Sequence, residues 1–108
     1  MTLDDLKQLP VFQTKTIAEA CKDPATRDYI LECLVTRFWA GDYGTICEED
    51  AQANNEDLKN GDGHALAKYP AKGALQGAFY IEAHFYDKPE YKSDIDYNNI
   101  MICYPSER

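Results

Sequence analysis

Glu82 and His84 are the two residues of this 108-residue chain best suited to do chemistry together. They stand two apart in a β-prone, aromatic run, residues 78–86, and period-two alternation puts both on one strand face. A carboxylate beside an imidazole forms an acid–base unit. The same pattern more commonly yields an exposed or hydrogen-bonded strand histidine. His64 follows a turn and reads as solvent-facing. Asp42, Glu49 and Asp50 are hard oxygen ligands of the kind magnesium or calcium takes. Their spacing matches no calcium loop, and an acidic helix start accounts for them equally well.

Other catalytic chemistries lack their residues. Ser93 and Ser106 are the only serines, and neither sits in a nucleophile motif. Gly61-Asp62-Gly63 is too short and too acidic to cradle a phosphate. Cys21, Cys33, Cys47 and Cys103 have no zinc-type spacing, so they read as buried, reduced thiols acting as small hydrophobes. The expectation is a non-enzymatic protein with no catalytic residues, no metal and no cofactor.

Charge narrows the partners. The formal net charge is −8 with a pI near 4.6. Nucleic-acid binders draw most of their affinity from neutralising phosphates, so direct DNA or RNA binding is disfavoured, as is an anionic membrane surface. Proteins with basic grooves are favoured; the plainer alternative is that acidity keeps a small protein soluble. No apolar run approaches the ~20 residues of a membrane span. Met1-Thr2-Leu3-Asp4-Asp5 lacks the basic and apolar regions of a signal peptide, which places the protein by expectation in the cytosol.

Capping chemistry and periodicity predict the elements that position these residues. Thr16-Ile17-Ala18-Glu19 and Thr45-Ile46-Cys47-Glu48 have the form of a capping box. Asp23-Pro24 supplies an N-cap followed by a proline at the first helical position. The helix it opens runs over about 24–40, with Ile30, Cys33, Leu34 and Phe38 on one face and Gly41 as its stop. A second helix over about 46–59 has a thin apolar stripe and faces rich in Glu48, Glu49, Asp50, Glu56 and Asp57. Residues 65–69, 78–86 and 100–104 read as an antiparallel sheet, to which residues 11–15 could add a strand. Phe79, Ile81 and Phe85 share one strand face; Tyr80, Glu82, His84 and Tyr86 share the other. Between the last two strands, residues 87–99 form a long polar loop of the kind that is either mobile or functional. The predicted fold is one α+β domain over residues 1–108, with two to three helices on a small antiparallel sheet of three to four strands.

The most distinctive stretch is Arg37-Phe38-Trp39-Ala40-Gly41-Asp42-Tyr43-Gly44, followed by Glu49-Asp50 and then Asn54-Asn55. With Gly63, residues 67–69, the 79–83 strand and residues 100–105, it resembles a family of small plasmid-related proteins carried by bacterial plasmids, integrative elements and phages. That family's pattern has an arginine, Gly-Asp-Trp-Gly, an acidic pair and an asparagine. The match spans roughly residues 11–107. Tyr43 stands where the family has tryptophan, and the loop 87–99 replaces a Thr-Glu-Ala-Asp-Arg-Ser stretch.

The resemblance implies a mobile-element accessory protein in a bacterial host cytosol. Small acidic proteins of such elements often occupy a host nuclease, their carboxylates standing in for phosphates. The leading expectation is therefore an inhibitor of a host defence nuclease, of the anti-CRISPR or anti-restriction kind. Its partner would be an effector with a basic nucleic-acid-binding surface. The expected contact residues are Asp42, Tyr43, Glu49, Asp50, Glu56 and Asp57, with Glu90, Tyr91, Asp94, Asp96 and Tyr97 of the loop. Two alternatives stand beside it: a structural or regulatory module that homodimerises through the aromatic sheet face, and a small enzyme using Glu82 and His84. The Gly41–Gly44 corner is more simply a well-made turn than a site.

Overall fold

Local chemistry sets the helices of the computed structural model, which describes residues 1–88, Glu90 and residues 97–108. Thr2 opens α1 (Leu3–Lys7) through a reciprocal capping box with Asp5, an element the sequence reading passed over. β1 (Val11–Gln13) follows, then α2 (Lys15–Ala20). The cap of α2 is Thr14 rather than Thr16: Thr14 is extended at φ −70°, ψ 164°, and its hydroxyl accepts from Ile17 N at 3.4 Å. Thr16 lies inside the first turn, and its hydroxyl donates to the Glu107 carboxylate.

The predicted helix over 24–40 is helical throughout but changes pitch twice. α3 (Pro24–Glu32) starts on Asp23, whose carboxylate accepts from Thr26 N at 3.2 Å. A π turn (Cys33–Arg37) and a 3-10 turn (Phe38–Ala40) continue it, and Gly41 ends it in the left-handed region at φ 84°. The second helix, α4 (Glu48–Asn60), has Cys47 as its N-cap with no side-chain bond, so the Thr45 capping box does not form. Thr45 is engaged elsewhere: its N–H donates to Lys68 O at 2.8 Å.

β2 (Gly63–Tyr69), β3 (Phe79–Phe85) and β4 (Asn99–Cys103) pair antiparallel, as read. β1 joins as a fourth strand, parallel to β4, giving the order β1-β4-β3-β2. The result is an α+β domain with four α-helices and an open mixed sheet.

One face of that sheet is the core. Phe79, Ile81, Ala83 and Phe85 are fully buried, in one cluster with Leu6, Ile17, Ile30, Cys33 and Phe38 from the helical layer. The face of Phe79, Ile81 and Phe85 therefore cannot carry a homodimer; its apolar area is already spent on the fold. Cys33 and Cys103 are buried and reduced, and burial raises both thiols, whereas Cys47 is exposed, contrary to expectation. No helix of the described residues is long and apolar enough to cross a membrane.

Candidate functional site

The Gly41–Gly44 corner is built around an ion pair. Arg37 reaches Asp42 with two donors, Nε at 2.7 Å and Nη2 at 3.3 Å, while its guanidinium lies 4.8 Å over the Tyr69 ring. Asp42 also accepts from Gly44 N at 3.2 Å, and these bonds hold its carboxyl below the usual range, Arg37 first. Tyr69 OH donates to Asp42 O at 2.8 Å. Tyr43 is 4% exposed, with its hydroxyl on Asn55 Oδ1 at 2.7 Å, and so is unavailable as a surface anchor.

This corner covers a sheet edge. β2 is an outer strand, and its outward backbone groups need partners that no neighbouring strand supplies. Lys68 N donates to Tyr43 O at 3.0 Å, and Lys68 O accepts from Thr45 N. Leu66 N and O are both taken by the Asn54 side chain, at 3.1 and 2.8 Å. His64 N donates to Asp57 Oδ2 at 3.2 Å. Asp42, Tyr43 and Asp57 of the expected contact set thus work within the fold.

The remaining acids of α4 are different. Glu48, Glu49, Asp50 and Glu56 are exposed. None forms an ion pair among the described residues, whereas Arg37 and Arg108 are committed to Asp42 and Glu82. Glu49 and Glu56, seven apart, share one helix face. Asp50 instead lines, with Ala53, Asn54, Asp57, His64 and Arg108, a cleft of about 270 Å³ between α4 and β2. Of the expected loop residues, Glu90 is exposed, and Tyr97 is 43% exposed with its ring edge-on to Tyr86 at 5.9 Å. Tyr91, Asp94 and Asp96, with most of the loop 87–99, lie outside the described residues.

Glu82 and His84 do meet, on the outer sheet face. Glu82 is 6% exposed under a group of cations and imidazoles. His84 Nε2 lies 3.4 Å from Oε1, His64 Nε2 lies 3.8 Å from Oε2, and Arg108 Nη2 donates to Oε2 at 2.5 Å. His64 and His84 are direct cross-strand partners, with their rings stacked at 5.6 Å and 13°. Contact with His84 and then Arg108 outweighs burial and holds the Glu82 carboxyl at about 2. The carboxylate is thus a fixed anion that orients its neighbours, and a poor proton acceptor near neutrality. Asp42 takes no part in the group; it stays with Arg37. Among the described residues no set of three or more Asp, Glu, His or Cys side chains is placed to hold a metal ion.

Sequence reasoning missed His64, Arg108, Asn54 and Asn55. His64 was legible only through the β2–β3 register, which the irregular connection 70–78 conceals. Arg108 reaches Glu82 from 26 residues away. The site is thus an acidic helix surface on a small α+β domain, beside a paired carboxylate–histidine group. Comparison with protein-family models, curated proteins and solved structures finds no match to this chain.

Proposed function

We propose that this chain is a non-catalytic accessory protein of a mobile element that binds a host defence nuclease, of the anti-CRISPR or anti-restriction type, through the acidic face of α4. One observation carries the reading: Glu48, Glu49, Asp50 and Glu56 stand exposed on a rigid helix with no intramolecular cation. Elsewhere the chain pairs its acids where cations are in reach, as at Asp42 and Glu82. Carboxylates left unpaired in the first turn favour the helix dipole by a few tenths of a kcal/mol to about 1. Together they also project a field that attracts a basic groove over a Debye length or more. Glu49 and Glu56 lie about 10 Å apart along the axis, a rigid anionic ruler for such a groove. The resemblance to plasmid-related proteins supplies the genetic setting.

The test is recovery of partners on the tagged protein from a bacterial lysate containing CRISPR and restriction effectors, followed by DNA cleavage by the captured nuclease. The expected result is a nuclease held at about 50 mM salt, shed near 500 mM, and inhibited in cleavage. Combining Glu48→Gln, Glu49→Gln, Asp50→Asn and Glu56→Gln should abolish both capture and inhibition. Undiminished inhibition by that variant, or cleavage at the full rate beside the wild-type protein, sinks the reading.

A further inference from the structure

The two outer strands of the sheet are treated in opposite ways. Every outward backbone position of β2 described above is capped by Asn54, Asp57, Tyr43 or Thr45. β1 has no such cover. Ile100 N donates to Pro10 O, and Thr14 N donates to Ile102 O, so Pro10, Phe12 and Thr14 turn their backbone groups toward β4. By strand alternation Val11 and Gln13 turn theirs away, and no partner reaches them among the described residues. Pro10, the residue that would blunt an edge, occupies an inward position and removes no outward donor.

Side chains and charge single out the same edge. Val11 is 47% exposed and Phe12 39%. Val11 opens onto an apolar cleft of about 330 Å³ with Ile30, Leu31, Leu34 and Ile102. Residues 1–40 hold five Lys/Arg and six Asp/Glu, a net −1, whereas residues 41–108 hold six and thirteen, a net −7. Leu9 to Thr14 carry no charge at all. The acidic helix α4 covers the opposite edge, three strand spacings or about 14 Å from β1. That exceeds the Debye length of about 8 Å at physiological salt. Two copies of an acidic protein can therefore meet at β1 with the least repulsion the fold allows.

We infer that β1 pairs antiparallel with β1 of a second copy, about a two-fold axis at Phe12, joining two four-stranded sheets into one of eight strands. The register is self-complementary. Val11 of each copy exchanges two hydrogen bonds with Gln13 of the other, four in all, and uses only the outward groups. Phe12 faces Phe12 across the axis as a non-hydrogen-bonded pair, the closer of the two antiparallel spacings. Both α4 helices end up at the far ends of the joined sheet, so the assembly stands whether or not α4 binds a nuclease.

The edge is short, and the expected dissociation constant is on the order of 10 µM. Sedimentation velocity of the full chain from about 1 to 300 µM should show conversion from the 12.3 kDa monomer to a dimer. Gln13→Pro removes an outward N–H and spares the ladder to β4; it should give a monomer at every concentration with an unchanged circular dichroism spectrum. If that variant misfolds, amide hydrogen exchange on the unmodified chain decides: Val11 and Gln13 should gain at least tenfold protection as concentration rises, with Phe12 unchanged. A chain that stays monomeric to 300 µM, or whose Val11 and Gln13 amides exchange independently of concentration, overturns the proposal and leaves the edge to a strand of another protein. A dimer that persists in folded Gln13→Pro overturns it too.

Discussion

Asn54 of α4 clasps the backbone of Leu66: its amide donates to Leu66 O at 2.8 Å and its carbonyl accepts from Leu66 N at 3.1 Å. One side chain does for the edge strand what a further strand would otherwise do. Asn54→Leu, similar in size but without polar atoms, strands two backbone groups in a 5%-exposed position. A loss of about 2–4 kcal/mol in urea unfolding is expected. Light scattering should rise as well, since the uncovered edge offers itself to other chains. A loss under about 0.5 kcal/mol would mean that water replaces the clasp.

Gly44 sits at φ 75°, and a Cβ added there would lie 1.9 Å from Lys68 O. The bridge between the corner and β2 therefore requires a bare backbone at this position. Gly44→Ala should cost about 2–4 kcal/mol, lowering Tm by ten degrees or more. Gly77 offers a matched control, because nothing lies within 4 Å of its added Cβ. Gly77→Ala should fall within about 1 kcal/mol of the wild type and tend to stabilise. Equal effects at the two glycines would refute the close-approach argument.

The two helix starts separate by mutation. Asp23 accepts from both Thr26 N at 3.2 Å and Thr26 Oγ1 at 2.6 Å, so Asp23→Ala should cost about 1–2 kcal/mol. Thr45 only resembles a cap; its hydroxyl donates to Lys68 O at 3.3 Å. Thr45→Ala should cost about 0.5 kcal/mol or less by the same chemical denaturation. A larger loss at Thr45 than at Asp23 would restore the capping box.

Glu82 makes stability fall in acid. Its folded pKa, about 2, lies below the ordinary value of 4.5, so the folded state favours the ionised form. That contribution is complete above about pH 4.5 and is lost as pH falls toward 2. Linkage puts it at up to about 3 kcal/mol, reduced by the partial exposure of Arg108. Denaturation curves at several pH values from 7 to 2.5 should show the decline, and Glu82→Gln should flatten it. An identical acid limb in that variant assigns the decline to other carboxylates.

What the sequence made legible follows from where the determinants lie. Asp23-Pro24 and Gly41 are local signals, and the helix they delimit forms between them. The alternation Phe79, Ile81, Phe85 against Tyr80, Glu82, His84 fixed the two strand faces, because a strand buried on one side must alternate. Thr16 and Thr45 misled because each matches a cap locally while its hydroxyl serves a distant partner, Glu107 or Lys68. Tyr43 read as an exposed corner residue because nothing nearby in sequence announces that its hydroxyl meets Asn55, twelve residues on. His64 and Arg108 reach Glu82 only after the sheet is assembled. The candidate site was therefore half visible: its acids are a composition, and its geometry is tertiary.

The π turn at Cys33–Arg37, where Phe38 N–H reaches back five residues to Cys33 O, behaves as a phase adjuster in the longest helical run. It holds one residue more than an α-helical turn would. Deleting any one of these five positions would let the run wind evenly, and everything beyond it would swing by about 100°. Phe38 would leave its buried seat, and Arg37 would point away from the Asp42 it now grips. The length of this segment thus works as a key cut to one depth: chains that differ here by a single insertion or deletion would share α3 and lose the corner that seals β2.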